Sequence, residues 1–423
     1  PFLQRSRLLE EYLVYLHILA LRASEGKPRV FRDAIRNQKL KRLLTIAARL
    51  PFWKERIRSE LFDTEESSSQ LRSLPITTKS DLRNAPLEQR TNQDIAAKYG
   101  ILNFTSGSTG EPLQFFIDKR LKVRQWALLS RVGGLHRFSQ QALIHLWPTP
   151  NSNPLFSGHF FSAKTTEELW HRRLEIYKLI SQPNSILHSS PSLLRLLLGF
   201  SKQDSVVLRP HKVITSSEEL TLEMRLFFQE QFQCKVANYY GSRELSVMAG
   251  QCKFGRFHEN SEDVIFEVVS EQGLPLNTGE VGRLIATGLN SYVAPFIRYY
   301  LGDYGFFYED FCPCGNPLPA FNFEGRTHDV TPILLPDGSH IFPYALTGIF
   351  NRKFKKIRQY QINHYEPHAF MVYIIPTEKY SRDDELELLA DFKQVTKNSH
   401  VSLRYAESIS SNGSKVLPYI KSF

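Results

Sequence analysis

"NFTSGSTGEP" (103–112) places Thr105, Ser106, Gly107, Ser108, Thr109 and Gly110 in consecutive positions, where no side chain can fill a core. A Ser/Gly cluster of this kind is ordinarily a surface loop. Flanked by the apolar segments "ILNF" and "LQFFI", it reads as strand, glycine loop, strand. It also suits a phosphate cradle, because glycine lets main-chain N–H groups approach an anion closely and hydroxyls add donors beside them. A Walker loop is excluded: that motif needs Lys directly after its last glycine, and Glu111 stands there.

Around this loop the chain alternates. Strand candidates "ALIHLW", "SILH", "KVIT", "KVANYY", "DVIFEVV" and "GRLIAT" are interleaved with helical stretches "TEELWHRRLEIYKLI", "SPSLLRLLLGF" and "TLEMRLFFQEQF". That order predicts an α/β fold with layered, mostly parallel sheets. Upstream, residues 30–62 read as helix broken at Pro51, and "SSSQLRSLPITTKSDLR" (67–83) as a polar linker entering a helix with Thr78 or Ser80 as N-cap. After "FEGRTHDV" (323–330) the pattern changes to a strand pair ("KIRQYQIN", "AFMVYIIP"), a helix and a strand ("VSLRYA"). Two domains follow from this: a large one over 1–325 and a small α+β one over 326–423. With 423 residues, 42% of them hydrophobic, the chain can bury both cores.

The net charge is +10 and unevenly placed: residues 1–50 hold 11 Lys/Arg against 4 Asp/Glu, and "NRKFKKIR" (351–358) has five cations in eight positions. Such patches suit a solvated helix face, a nucleotide, or an anionic membrane touched by the basic N-terminus. No nucleic-acid-binding signature accompanies them, so no nucleic-acid partner is expected. The run "YLVYLHILAL" (12–21) lacks the charged flank of a secretory signal and is too short to span a bilayer; an amphipathic or buried helix is expected. Four cysteines argue for a reducing compartment, the cytoplasm, rather than a disulfide scaffold.

Further polar motifs fall where strands end. "ITSSEEL" (214–220) leaves a strand and opens a helix, "NYYGSRE" (238–244) is strand, turn, carboxylate, and "RYYLGD" (298–303) ends in Asp303. In α/β sheets the carboxyl ends of strands are where ligands bind. Singly, each motif is equally an ordinary turn. Taken in order, "LPITTKSDLR", "FTSGSTGEP", "YYGSRE", "QCKFGRFHENSED", "FIRYYLGD" and "CPCGNPLPAFNFEGR" resemble the adenylate-forming superfamily of acyl-CoA synthetases and adenylation domains. The closer resemblance is to its phenylacetate–CoA ligase-like branch, including the capsule-biosynthesis relatives, from about residue 35 to the C-terminus.

The resemblance implies an ATP-dependent ligase and gives the residues roles. Thr105–Gly110 would wrap the β- and γ-phosphates of ATP. Tyr240 would lie against adenine within a turn that includes Gly241 and Ser242, and Ser217 and Glu218 would line the nucleotide pocket. Glu244 would ligate Mg²⁺, a hard cation that takes oxygen ligands. Asp303 would accept hydrogen bonds from both ribose hydroxyls, and Arg326 would reach ribose or phosphate from the hinge. The superfamily's catalytic lysine would be Lys415 in "SNGSKVLPYIKSF", with Lys421 as the fallback, since Ser414 separates Gly413 from Lys415. Two departures stand out: Glu111 replaces the common loop Lys, and Arg243 replaces the usual Thr or Ser beside the α-phosphate, where a guanidinium would offset developing charge.

Cys252, His258 and the Cys312–Pro–Cys314–Gly315 knuckle supply three thiolates and one imidazole, a closed tetrahedral Zn²⁺ set of structural type. Some members of the resembled branch look to have a metal there. Cys234 falls outside the set and reads as a buried small hydrophobe. The expected activity is formation of an acyl-AMP from a carboxylic acid, compatible with an aryl acid, then transfer to an acceptor. Coenzyme A is the acceptor the branch implies; an amine acceptor, or a binding protein that kept the fold without the chemistry, are the alternatives.

Overall fold

The computed structural model describes residues 2–57, 71–105, 113–133, 143–147, 158–162, 166–326, 333–338, 340–341, 346, 349–350, 353, 355–407, 409 and 419–421, without the side chains of 2–11, 162, 166–167, 324–326, 340–341 and 419–421. Two compact units are present, one formed by 1–301 with 305–322, the other by 302–304 with 323–423.

The first unit opens with two long helices, α1 (Phe2–Glu25) and α2 (Arg29–Ala47). Pro51 starts a separate short helix, Pro51–Lys54, as a residue without a backbone N–H should. Helix α3 (Lys79–Asn84) begins at Thr78, one of the two caps expected. Thr78 Oγ1 accepts from the Asp81 N–H at 3.2 Å while the Asp81 carboxylate accepts from the Thr78 N–H at 2.7 Å. Strands β1 (Gly100–Phe104) and β2 (Gln114–Asp118) then form an antiparallel hairpin, with Phe104 opposite Gln114 at the mouth of the Ser/Gly run.

Among the described residues the main sheet has eleven strands. Its parallel part comprises β3 (Leu143–Trp147), β4 (His159–Ser162), β5 (Ile186–Ser189), β6 (Lys212–Thr215) and β7 (Lys235–Ser242), in the spatial order β4-β3-β5-β6-β7. Helices α4 (Leu121–Gly133), α5 (Thr166–Ile180), α6 (Pro191–Gln203) and α7 (Leu222–Phe232) occur in this region, the last three as crossovers between parallel strands. Beyond β7 the sheet turns antiparallel, because β8 (Ser246–Gln251) returns after a three-residue turn too short for a crossover. It continues through β9 (Phe257–Glu259), β13 (Ala320–Arg326), β12 (Tyr299–Phe307), β11 (Gly282–Gly288) and β10 (Val264–Val269). In this sheet the parallel character expected from the βα alternation belongs to five strands, while the β7/β8, β8/β9, β9/β13 and β10/β11 pairs are antiparallel.

One apolar cluster on this sheet joins Val14, Ile18 and Leu21 of α1, Trp126–Leu129 of α4 and Leu143, Ile186, Ile214 and Tyr239 of the strands. Ion pairs lock α4 and α2 to the segment from the end of β9 to the start of β10. Arg124 Nε donates to Asp263 at 2.8 Å, Arg131 grips both Glu262 oxygens at 2.9 Å, and Arg36 reaches Glu259 at 3.2 Å. Burial by itself would raise the carboxyl of Asp263; Arg124 and Lys39 outweigh it and hold the group below its ordinary value. "HENSED" is thus an anchoring segment.

In the second unit, β16 (Ile357–Glu366) and β17 (Ala369–Pro376) pair antiparallel, β18 (His400–Tyr405) adds parallel to β17, and β19 (Tyr419–Lys421) parallel to β16. A small hairpin, β14 (Ile333–Leu334) with β15 (His340–Ile341), precedes them. Helix α8 (Arg382–Val395), capped by Ser381, covers the sheet through Leu388 and Phe392. Two cations of the 351–358 patch serve this unit: Lys353 pairs with Glu387 at 2.9 Å and Lys356 with Asp384 at 3.1 Å.

Candidate active site

Thr105 and Leu113, at the two ends of the Ser/Gly run, form a closed neck. Thr105 donates its N–H to the Leu113 carbonyl and accepts the Leu113 N–H on Oγ1, both at 2.9 Å, so its hydroxyl oxygen helps to close the hairpin end. Ser106, Gly107, Ser108, Thr109 and Gly110 lie outside the described residues.

The β7–β8 turn is built against this neck. Arg243 Nη1 donates to the Phe104 carbonyl at 2.7 Å, tying the turn to the last residue of β1. Burial pulls the Arg243 guanidinium down from its ordinary value, with adjacent Glu244 opposing, yet a group titrating so high keeps its charge. A register shift between Tyr240 and Gly241 puts a bulge at the start of the turn. Gly241 is required there, since a Cβ would lie 2.3 Å from the Ser246 carbonyl oxygen. Ser242 Oγ accepts the Leu245 N–H at 3.0 Å. Glu244 accepts a hydrogen bond from the Tyr299 hydroxyl at 3.0 Å. Burial first, and the Glu244 carboxylate second, raise the Tyr299 phenol well above its ordinary value, so it is a fixed donor. Tyr299 was not anticipated; its only sequence signal is its place in "FIRYYLGD", on the strand that carries Asp303. The half-buried Tyr240 ring is backed by Phe266 and Phe321, each 6.1 Å away between centroids, and Phe257 at 6.4 Å.

Asp303 is buried in β12. Ser217, in the loop after β6, takes the left-handed conformation with φ 71°. Glu218 beside it accepts from the Ser192 N–H at 2.9 Å and the Ser192 hydroxyl at 2.7 Å. Its carboxylate thereby caps the α6 N-terminus, where negative charge is favoured. Arg326 ends β13 with its side chain outside the description; Lys415 lies outside the described residues, and Lys421 is described only as backbone of β19.

A second polar group escaped the sequence reading. His145 and His188 are register partners on β3 and β5, and their Nδ1 atoms share a hydrogen bond of 2.9 Å. His188 Nε2 meets the Tyr239 hydroxyl at 3.1 Å. Complete burial drives His188 down to about 3, so it is neutral at physiological pH. Each histidine is the third residue of its strand, a signal that only strand order makes meaningful.

Cys252, His258, Cys312 and Cys314 converge, their ligand atoms all within 4.8 Å of one another. Cys252 Sγ is 3.6 Å from Cys312 Sγ, and Cys314 Sγ is 3.3 Å from His258 Nε2. Tetrahedral zinc with Zn–S bonds of about 2.3 Å requires sulfurs about 3.8 Å apart, whereas a disulfide requires about 2 Å. The spacing fits the metal. Two similar turns present the thiols: Gly255 N–H returns to the Cys252 carbonyl at 3.1 Å and Gly315 N–H to Cys312 at 3.0 Å, both glycines at positive φ. His258 Nδ1 lies 3.0 Å from the Leu318 carbonyl, which fixes the proton there and leaves Nε2 as the ligand atom. Burial lowers the His258 pKa, keeping the imidazole in its ligating form.

No family model matches the chain. It is 24% identical over 365 residues to a phenylacetate-coenzyme A ligase of Thermus thermophilus, covering 80% of this chain and 79% of that protein. Among solved structures it is similar to a 2-hydroxyisobutyryl-CoA ligase in the postadenylation state with R3-HIB-AMP, with a TM-score of 0.76 at 16% identity over 94% of this chain and 91% of that one. An anthranilate CoA ligase, AuaEII, in complex with anthranoyl-AMP gives a TM-score of 0.54 at 13% identity over 83% of this chain and 70% of that one. The fold is that of the adenylate-forming acyl-CoA ligases, and the resemblance read from the motifs extends over most of the chain.

Proposed function

We propose that the protein is an adenylate-forming ligase that activates a carboxylic acid with ATP and passes the acyl group to coenzyme A. The observation that carries this is the Arg243–Phe104 hydrogen bond, which joins the phosphate-loop hairpin to the Tyr240–Glu244 turn. It sets the Tyr240–Glu244 turn, whose residue types suit adenine and a divalent cation, against the last residue of β1, where the Ser/Gly run begins, in a fold shared with acyl-AMP-bound ligases.

A carboxylate is a poor electrophile, and a mixed anhydride with AMP is a good one. The acid's carboxylate oxygen would attack the α-phosphorus while the bond to pyrophosphate breaks. Glu244, steadied by Tyr299, would hold Mg²⁺, whose charge offsets that of the phosphates. Arg243 would hold the loop in place and add positive charge near the phosphates. Asp303 would accept the ribose hydroxyls and Arg326 would reach ribose or phosphate. Lys415, or failing it Lys421, would bridge carboxylate and α-phosphate as these two anions meet. In the second step the thiol sulfur of coenzyme A attacks the acyl carbonyl, its proton leaves to solvent, and AMP departs. The unit beginning near residue 326 would rotate about residues 326–329 between the steps. The Cys252–His258–Cys312–Cys314 cluster would hold one structural zinc. Its thiols, all unpaired in disulfides, suit a reducing compartment such as the cytoplasm.

Acid-dependent exchange of labelled pyrophosphate into ATP tests the first step. A broad panel of carboxylic acids that supports no exchange refutes the catalytic reading. Adding coenzyme A or amines to an exchanging acid, and measuring AMP release, identifies the acceptor; release with amines alone would replace the coenzyme A assignment.

A further inference from the structure

Helix α1 is apolar on two opposite faces. Val14, Ile18 and Leu21 pack inward against α4. Tyr12, Tyr15, Leu16 and Leu19 point the other way and are 59%, 52%, 42% and 42% exposed. Their spacing makes one stripe, which Ala23 continues, and the exposed Val30 and Phe31 open the next helix. A helix apolar all round is normally buried, and a contiguous exposed apolar stripe marks an interaction surface.

Charge selects the occupant. Residues 1–50 carry 11 Lys/Arg against 4 Asp/Glu; Arg32, Arg36 and Lys39 turn inward to the Pro317 carbonyl, Glu259 and the Glu262 carbonyl, while Arg22, Lys27 and Arg29 flank the C-terminal end of the stripe and Glu10 and Glu11 precede it. Of the four acids, Glu25 is paired with Arg131 at 2.7 Å and Asp33 with Arg29 at 3.5 Å. A second copy docked on the same face would bring two positive surfaces together, since a two-fold interface is self-facing. A surface of anionic phospholipid offers the opposite charge, and tyrosine rings sit well at the headgroup level. We propose that the outer face of α1 with the start of α2 rests on an anionic bilayer as an interfacial anchor. It does not span: no helix among the described residues is long and apolar enough to cross a membrane.

Vesicle sedimentation of the full chain tests this. The protein should partition onto vesicles with about one third phosphatidylserine, leave them at about 0.5 M salt, and ignore phosphatidylcholine alone. The double variant Leu16→Ser/Leu19→Ser should bind at least about tenfold more weakly, with thermal unfolding and pyrophosphate exchange unchanged. Absence of binding to anionic vesicles, equal binding to neutral ones, or undiminished binding by the folded double variant would overturn the proposal. So would a concentration-dependent dimer that the same variant dissolves.

Discussion

Cys314→Ser should empty the thiol–imidazole cluster and loosen the part of the sheet it joins. Cys252 and Cys312 lie 60 positions apart in the sequence. Treated as a cross-link closing a loop of that length, the metal would remove about 4 kcal/mol of chain entropy from the unfolded state. At about 2 °C per kcal/mol for a large unit, loss of the metal should lower the midpoint of thermal unfolding by about 8 °C. Elemental analysis by mass spectrometry should find one zinc per wild-type chain and none in the variant. Hydrogen exchange should quicken at 252–258 and 312–318. Cys234→Ser is the control. That thiol is outside the cluster and burial raises it to about 11, so zinc content should not change. Purified wild-type protein without metal, unfolding at the same temperature with and without a strong chelator, would refute the reasoning.

Other outcomes follow from the site. Glu244→Gln should cost at least about a hundredfold in acid-dependent pyrophosphate exchange with the far-ultraviolet circular dichroism unchanged, whereas Tyr299→Phe should mainly raise the Mg²⁺ concentration needed, by about tenfold. Arg243→Ala frees the Phe104 carbonyl and removes a charged hydrogen bond of about 1.5–3 kcal/mol, so kcat/KM for ATP should fall about tenfold or more; an unchanged value would refute the neck contact's role. His188 has a folded pKa of about 3 and an unfolded one near 6.5, so above that both states are neutral and it contributes nothing to pH dependence. As pH falls from 6.5 toward 3 only the unfolded chain takes the proton, and stability should drop by about 1.4 kcal/mol per pH unit from this group. Denaturant titrations of His188→Gln across that range should show a shallower loss.

Features set by neighbours in sequence were legible before any coordinates. The strand, loop, strand reading around 101–118, the Thr78 cap, the break at Pro51, the Cys312–Gly315 knuckle and the strand, helix and strand order after residue 330 are each written in a short stretch of chain. Local periodicity and turn chemistry encode such features. What only the tertiary structure decided are contacts made across the sheet. Arg243 meets Phe104 from 139 positions away, and Glu218 spends its carboxylate on Ser192 at 26. His145 finds His188 only because β5 lies beside β3. A stretch of sequence states which residues can bond, but strand order and register choose the partner, and those are set by burying the apolar faces of the whole unit together.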